Sequence, residues 1–251
     1  MSIRYLEKFG IIGPIMTYLF FFAHPDDETV ASASTIKQLI DNGDKVVVVS
    51  ATDGAAGEVY EKAKSSLEKF GSVGALRRAE LKQVAQFLNV TKLHILDFAD
   101  GGINNQHVWG ELKEVFIDLI HQYKPDVIIT IDHSGWYFHL DHVGVSIAAT
   151  LAYQQAEHKA DAFFLSLFKV RLPKWQYVFP EELPVTHVVN ATGHKELKLK
   201  AVDFHASQSM ETFRQKLREE ETHEELYQLA FASKKGKKIF ANHPIFRAVT
   251  S

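Results

Sequence analysis

Short apolar runs alternate along the chain with stretches in which apolar residues recur at helical spacing. The runs Thr17–Ala23, Lys45–Ala51, Lys92–Leu96 and Asp126–Ile131 end in turn residues. Val46–Val49 and Val127–Ile131 are nearly continuous, as strands covered on both faces should be. Between the runs, Glu28–Asn42, Ser72–Leu88 and Val108–Tyr123 carry the 3.6-residue period of helices. Gly43 reads as a helix stop, and Pro125 ends the third helix. This alternation predicts an α/β chain with a Rossmann-like doubly wound sheet, mainly parallel. A helix over about Val143–Glu157 follows. After it, Phe163–Arg171 and Trp175–Phe179 read as two strands that suit antiparallel pairing, and Pro184–Asn190 as another. Lys195–His205 reads as a helix, with a charged helical segment from about Met210 to Ala230. No repeat, low-complexity tract or linker interrupts residues 1–251, so one domain with an elaborated C-terminal part is expected.

Composition narrows the function classes. The 251 residues are 46% apolar and 24% charged, the usage of an ordinary globular protein with a sizeable core. Cysteine is absent, which excludes a disulfide scaffold, a thiolate metal site and a cysteine nucleophile. With 13 histidines, any metal site must draw on His, Asp and Glu. The net charge of −3 and the single short basic run Lys234-Lys235-Gly236-Lys237-Lys238 argue against a nucleic-acid partner. Arg4 and Lys8 precede an apolar stretch, Phe9–Ala23, that loosely has the form of a secretory signal. It is too short to span a membrane and is interrupted by Gly10, Gly13 and Pro14. Cleavage after Ala23 would also remove a core strand, so a cytoplasmic protein without a transmembrane segment is expected.

The chemistry gathers where each strand ends, the edge at which open α/β sheets bind ligands. The first strand leads into Ala23-His24-Pro25-Asp26-Asp27-Glu28, the second into Thr52-Asp53-Gly54, and the third to Asp97 and Asp100-Gly101-Gly102. The fourth ends in Asp132-His133, then Tyr137-Phe138-His139-Leu140-Asp141-His142. His24 and Asp27 are three apart at a strand-to-helix turn, so their side chains can meet on one ion, and His139 and His142 share that spacing. Nitrogen and carboxylate donors without sulfur suit zinc or another divalent transition metal. Helix capping is the plainer reading of Asp27 and of Asp141.

These residues resemble a known family. Ala23–Glu28 is similar to the AHPDDE signature of the LmbE/PIG-L superfamily of zinc-dependent N-acetylglucosaminyl deacetylases. Thr52-Asp53-Gly54 with Gly57-Glu58, Arg77-Arg78-Ala79-Glu80-Leu81, Asp100-Gly101, His139-Leu140-Asp141-His142, and Lys200-Ala201 with His205-Ala206-Ser207-Gln208 match its further motifs in order, from about residue 17 to residue 208. Leu140 replaces the usual Pro, and Ala55 stands where many members carry Glu. The resemblance implies one Zn2+ per chain, with Fe2+ as another candidate, held by His24, Asp27 and His142. It implies Asp26 as general base, His139 held by Asp141 as carbonyl polariser, Tyr137 as oxyanion donor, and Arg77 and Asp100 as substrate contacts. Arg77 also suits an ordinary helix pair with Glu80, Tyr137 ordinary packing, and His205 a satisfied core histidine.

The expected function is therefore hydrolysis of the N-acetyl group of an N-acetylglucosamine-type conjugate, a small-molecule substrate, with homo-oligomerisation left open. Two alternatives stand beside it: deacylation of a non-sugar N-acyl compound, and a non-catalytic sugar- or nucleotide-binding module. The lack of a G-x-G-x-x-G after the first strand weakens the nucleotide version.

Overall fold

The computed structural model describes residues 15–168 and 183–249. Over these residues the chain runs through β1 (Thr17–Phe22), α1 (Asp27–Asp41), β2 (Lys45–Thr52), α2 (Lys64–Phe70), α3 (Val73–Leu88), β3 (Lys92–Phe98), α4 (Gln106–Tyr123) and β4 (Val127–Ile131). It continues through α5 (Leu140–Gln155), β5 (Ala162–Leu167), β6 (His187–Asn190), α6 (Lys195–Phe204), α7 (Glu211–Glu219), β7 (Glu224–Ala232), α8 (Lys234–Phe240) and β8 (Arg247–Ala248). The strands form one sheet in the order β3-β2-β1-β4-β5-β7-β6-β8. The first five of that order are parallel, and β7, β6 and β8 extend the sheet with antiparallel pairings. The doubly wound expectation holds, and the C-terminal elaboration is this antiparallel extension.

Right-handed crossovers place α1 and α3 on one face, where α6 joins them, and α4 and α5 on the other. Helices on both faces explain why Tyr18–Phe22, Val46–Val49 and Val127–Ile131 are buried throughout. The register sets Phe22 beside Ser50 and Phe21 beside Thr130, so β1, β2 and β4 end nearly level. Chain direction along the sheet reverses between β1 and β4, the switch point where such folds open a crevice. Gly43, at φ 88°, does close α1 as its position suggests.

Two expectations need correction or fall outside view. The helix expected over Met210–Ala230 stops at Glu219, and Glu224–Ala232 is the strand β7, paired on both edges. Its charge hid the strand: Glu225 points inward, where its two oxygens accept Ser34 N–H (3.0 Å), Thr35 N–H (2.7 Å), Thr35 Oγ1 (2.7 Å) and Lys198 Nζ (2.7 Å). The strand expected at Trp175–Phe179 lies outside the described residues, as does the end of Phe163–Arg171. The helices α2 and α8 and the strand β8 were not anticipated.

Glu225 joins α1, α6 and β7 through one carboxylate, with Lys198 and Glu225 both 1% exposed at their side chains. Glu225→Ala leaves the ammonium buried and unpaired, which should cost about 3–5 kcal/mol in urea unfolding. The double variant Lys198→Met/Glu225→Leu should recover most of that loss.

His243 gives a pH dependence. Its Nδ1 accepts the N–H groups of Ile245 (3.2 Å) and Phe246 (3.1 Å), and burial pushes its pKa down to about 4. The unfolded chain thus binds a proton near pH 6.5 that the folded chain refuses until about 4. Stability from this group is full above pH 6.5 and should fall on the order of 2 kcal/mol as pH drops toward 4. Equilibrium unfolding at several pH values should show that slope, flattened in His243→Asn.

Candidate functional site

The turn from β1 into α1 builds one half of the site. Asp27 is the first residue of α1, and its Oδ2 accepts the N–H groups of Ala23 (3.0 Å) and His24 (2.8 Å). Its Oδ1 lies 3.2 Å from Nε2 of His142, which α5 carries in from the end of β4. His24 Nδ1 is 3.2 Å from the same His142 Nε2 and 3.7 Å from Asp27 Oδ2. The carboxylate of Asp27 therefore does not cap α1; it faces two imidazoles, all three residues being buried.

These separations, 3.2 Å between the nitrogens and 3.2 Å and 3.7 Å to the two oxygens of Asp27, are close to those a divalent ion would require. Ligand bonds of 2.0–2.1 Å in a tetrahedral site imply ligand atoms about 3.3 Å apart. Two nitrogens and one carboxylate oxygen without sulfur suit zinc or iron(II). Among the described residues His142 Nδ1, though buried, has no hydrogen-bond partner, while its Nε2 faces Asp27 and His24. Two overlapping groups, His24–His139–His142 and His24–Asp100–Asp141, also bring potential ligand atoms together.

The second of these groups has another task. Asp141 accepts the N–H of Gly101 (2.7 Å) and of Ile103 (2.9 Å), and Asp100 accepts that of Ala56 (2.8 Å). Both carboxylates then face His24 Nε2, at 3.2 Å and 3.1 Å. Burial lowers the His24 pKa, but the Asp100 and Asp141 hydrogen bonds and the Asp27 charge outweigh it and raise the value to about 10. With two carboxylates at Nε2, that nitrogen is the donor, and Nδ1 is the one that would face a cation after giving up the second proton of the imidazolium. Burial works against Asp100 as well, yet its hydrogen bond to His24 holds its carboxyl down to about 2.

Two expected pairings are corrected here. Asp141 does not hydrogen-bond His139; it holds His24 and the loop after β3. Arg77, expected as a substrate contact or as a partner of Glu80, is turned to the backbone of the site instead. Arg77 is 4% exposed, and its guanidinium donates to Gly54 O (3.0 Å), Pro25 O (2.5 Å) and Asp26 Oδ2 (3.1 Å). Nor does it pair with Glu80, whose oxygens accept Ser207 N–H (2.8 Å) and Oγ (2.6 Å). Gly54, at φ 70°, permits the approach: a Cβ there would lie 2.3 Å from Arg77 Nη1.

Arg77 holds the Asp26 carboxylate, whereas that of Asp27 faces His142, so the two neighbouring carboxylates have different partners. Burial raises the Asp26 pKa, the Arg77 charge opposing it and the Asp27 charge adding to it. Asp26 has φ 120°, a conformation costing about 1–3 kcal/mol for a residue with a Cβ.

The loop after β4 brings the other half. Gly135, Trp136 and Phe138 have φ of 63°, 61° and 67°, so this turn is far from helical. Trp136 Nε1 donates to Ser166 O (2.9 Å), and its ring meets that of His142 edge-on at 4.9 Å. His139 lies 4.5 Å from the His24 ring and 4.8 Å from the His142 ring, centroid to centroid. Its Nδ1 is buried without a hydrogen-bond partner among the described residues, and burial followed by the charges of His24 and His142 lowers its pKa. Tyr137, 39% exposed, stands at the rim with its ring 5.6 Å from that of His142. Burial, then the Asp27 and Asp26 charges, raises its pKa, so it remains a hydroxyl donor. Sequence reading passed over two supports, Trp136 and Glu28. Glu28 stood inside the first motif, and its buried carboxylate accepts Asp26 N–H (3.0 Å).

Residues 19–153 match the PIG-L family, described as GlcNAc-PI de-N-acetylase. The chain is 27% identical to a 1D-myo-inositol 2-acetamido-2-deoxy-alpha-D-glucopyranoside deacetylase of Mycobacterium sp. (strain KMS), over 81% of this chain and 79% of that one. In three dimensions it is similar to the N,N'-diacetylchitobiose deacetylase of Pyrococcus horikoshii, with TM-score 0.62, 22% identity, and coverage of 85% of this chain and 83% of that one. It also resembles GalB, the 4-carboxy-2-hydroxymuconate hydratase of Pseudomonas putida KT2440, with TM-score 0.64, 17% identity, and coverage of 87% and 98%.

Elemental analysis of the purified protein should find about one divalent ion per chain after metal supplementation. His142→Ala should lose that ion while its far-ultraviolet circular dichroism stays unchanged, since the core lies below the crevice.

Proposed function

The chain belongs to the PIG-L family, and on that premise we propose that it is a zinc-dependent hydrolase removing the N-acetyl group from an N-acetylglucosamine-type conjugate. The observation that carries this reading is the convergence of His24 Nδ1, His142 Nε2 and the Asp27 carboxylate, with the separately held Asp26 carboxylate beside them. The names of the relatives supply the sugar and the acetyl group.

His24, Asp27 and His142 would hold the ion, which when bound supplies Lewis acidity toward a carbonyl and eases ionisation of water. Asp26 takes the proton from the attacking water. Its pKa, raised by burial, brings it nearer the working pH, where a general base acts best. Arg77 fixes the direction of that carboxylate. The amide carbonyl lies toward His139 and Tyr137, whose N–H and O–H stabilise the developing oxyanion. Collapse of the tetrahedral carbon breaks the C–N bond, and Asp26 returns its proton to the departing amine.

Acetate release from N-acetylglucosamine linked to a polyol, a second sugar and a lipid tests the activity; no acetate from the metal-loaded protein with any of them would overturn it. Asp26→Asn should keep its metal and lose about 10²–10⁴-fold in kcat. Asp27→Asn should instead lose metal affinity. Metal lost from Asp26→Asn with metal and activity kept in Asp27→Asn would reverse the two assignments.

A further inference from the structure

His205 closes α6, 177 residues along the chain from Glu28, and is completely buried. Its Nε2 lies 2.9 Å from Glu28 Oε1 and 3.2 Å from Thr29 Oγ1, which itself donates to the same Oε1 at 2.6 Å. The second oxygen of Glu28 accepts the backbone N–H of Asp26 at 3.0 Å. One carboxylate therefore bridges a histidine of the C-terminal part and the amide of the residue at φ 120°.

The loop that carries His205 is anchored independently. Ser207 gives both its N–H and its hydroxyl to Glu80 of α3, and its carbonyl accepts Tyr60 N–H at 2.8 Å. His205 is thus a fixed point, and Glu28 transmits its position. A backbone at φ 120° persists only where its surroundings over-determine it. Besides the Thr29 and Val30 N–H groups on its carbonyl, Asp26 is held by Arg77, on its carboxylate and on the carbonyl of the preceding Pro25, and by Glu28 on its amide. A rotation about the Asp26 backbone would swing the carboxylate away from the reacting water, where small misplacements reduce rate steeply.

We infer that His205 is a positioning residue: by orienting the Glu28 carboxylate it holds the Asp26 turn in the conformation that aims the Asp26 side chain. The inference rests on the hydrolase reading for its effect on rate, but not for its effect on the turn. An ordinary core pair would stabilise the fold without touching kcat selectively.

The test compares wild type, His205→Ala and His205→Gln, the last keeping a side-chain N–H for Glu28. It measures peptide-level hydrogen exchange over residues 23–30, bound zinc, and acetate release from methyl 2-acetamido-2-deoxyglucopyranoside. His205→Ala should exchange at least tenfold faster in that segment, keep its zinc, and show kcat about 10–100-fold lower with KM within twofold. His205→Gln should recover most of both changes. Unchanged exchange, a raised KM at unchanged kcat, zinc lost from the folded variant, or no advantage of Gln over Ala would each overturn the inference. If His205→Ala does not fold, Glu28→Gln, which leaves one of the two partners without its carboxylate oxygen, should show the same local exchange. If wild type releases no acetate, the hydrolase reading fails, and the exchange and zinc measurements still decide the role of His205.

Discussion

The cost of burying carboxylates governs the edge of this sheet. A carboxylate taken out of water without donors costs several kcal/mol, so each one must be met by hydrogen bonds or by opposite charge. Asp27, Glu28 and Asp141 are 3%, 2% and 1% exposed, and Asp26 lies beside them. Their donors come from several elements: Ala23 and His24 in the β1 turn, Gly101 and Ile103 after β3, His142 on α5, Arg77 on α3 and His205 at the end of α6. No single element can satisfy its own acid. The site is complete only when the sheet is complete, which ties its geometry to the global fold.

The parallel half of the sheet was legible because strands buried on both faces leave continuous apolar runs, and because amphipathic helices separate them. The site was legible for a related reason: in this topology the residues following each strand must meet. Spacing along the chain does not, however, tell which end of a side chain meets which partner. His139 and Asp141 are two apart, yet Asp141 reaches back to the β3 loop and His24, leaving His139 to stand alone against the other rings. Arg77 read as a substrate contact or an ordinary partner of Glu80; the glycine at position 54 is what lets its guanidinium lie against the backbone there. In the C-terminal part, Glu225 at an inward strand position reads as a helical charge until Lys198 and the middle of α1 are brought to it.

The sheet alone does not choose a reaction. A hydratase and a sugar deacetylase share this architecture with the chain at similar TM-scores of 0.64 and 0.62. Function is decided by the side chains grafted onto the strand ends. Here those are two imidazole nitrogens and the Asp27 carboxylate within hydrogen-bonding reach of one another, with the Asp26 carboxylate, the His139 ring and the Tyr137 ring around them.

Both turns that flank the switch point are strained, and the strain has a geometric origin. Asp27 is the first helical residue of α1, so its side chain leans back toward the strand end and the two histidines. A preceding residue in extended or helical conformation would send its own side chain off at an angle set by those regular geometries. With φ at 120°, Asp26 instead turns its carboxylate to Arg77, and two adjacent acids acquire separate partners. The turn after β4 solves the mirror problem. Trp136 and Phe138 at positive φ let the chain double back within four residues, so that the Trp136 ring wedges against His142 while Tyr137 faces the rim. Neither conformation would survive in an isolated peptide. Each is held by bonds to distant strands and helices, Arg77 and Glu28 on one side and Ser166 O on the other, so the stability of the sheet maintains the strain that aims the site.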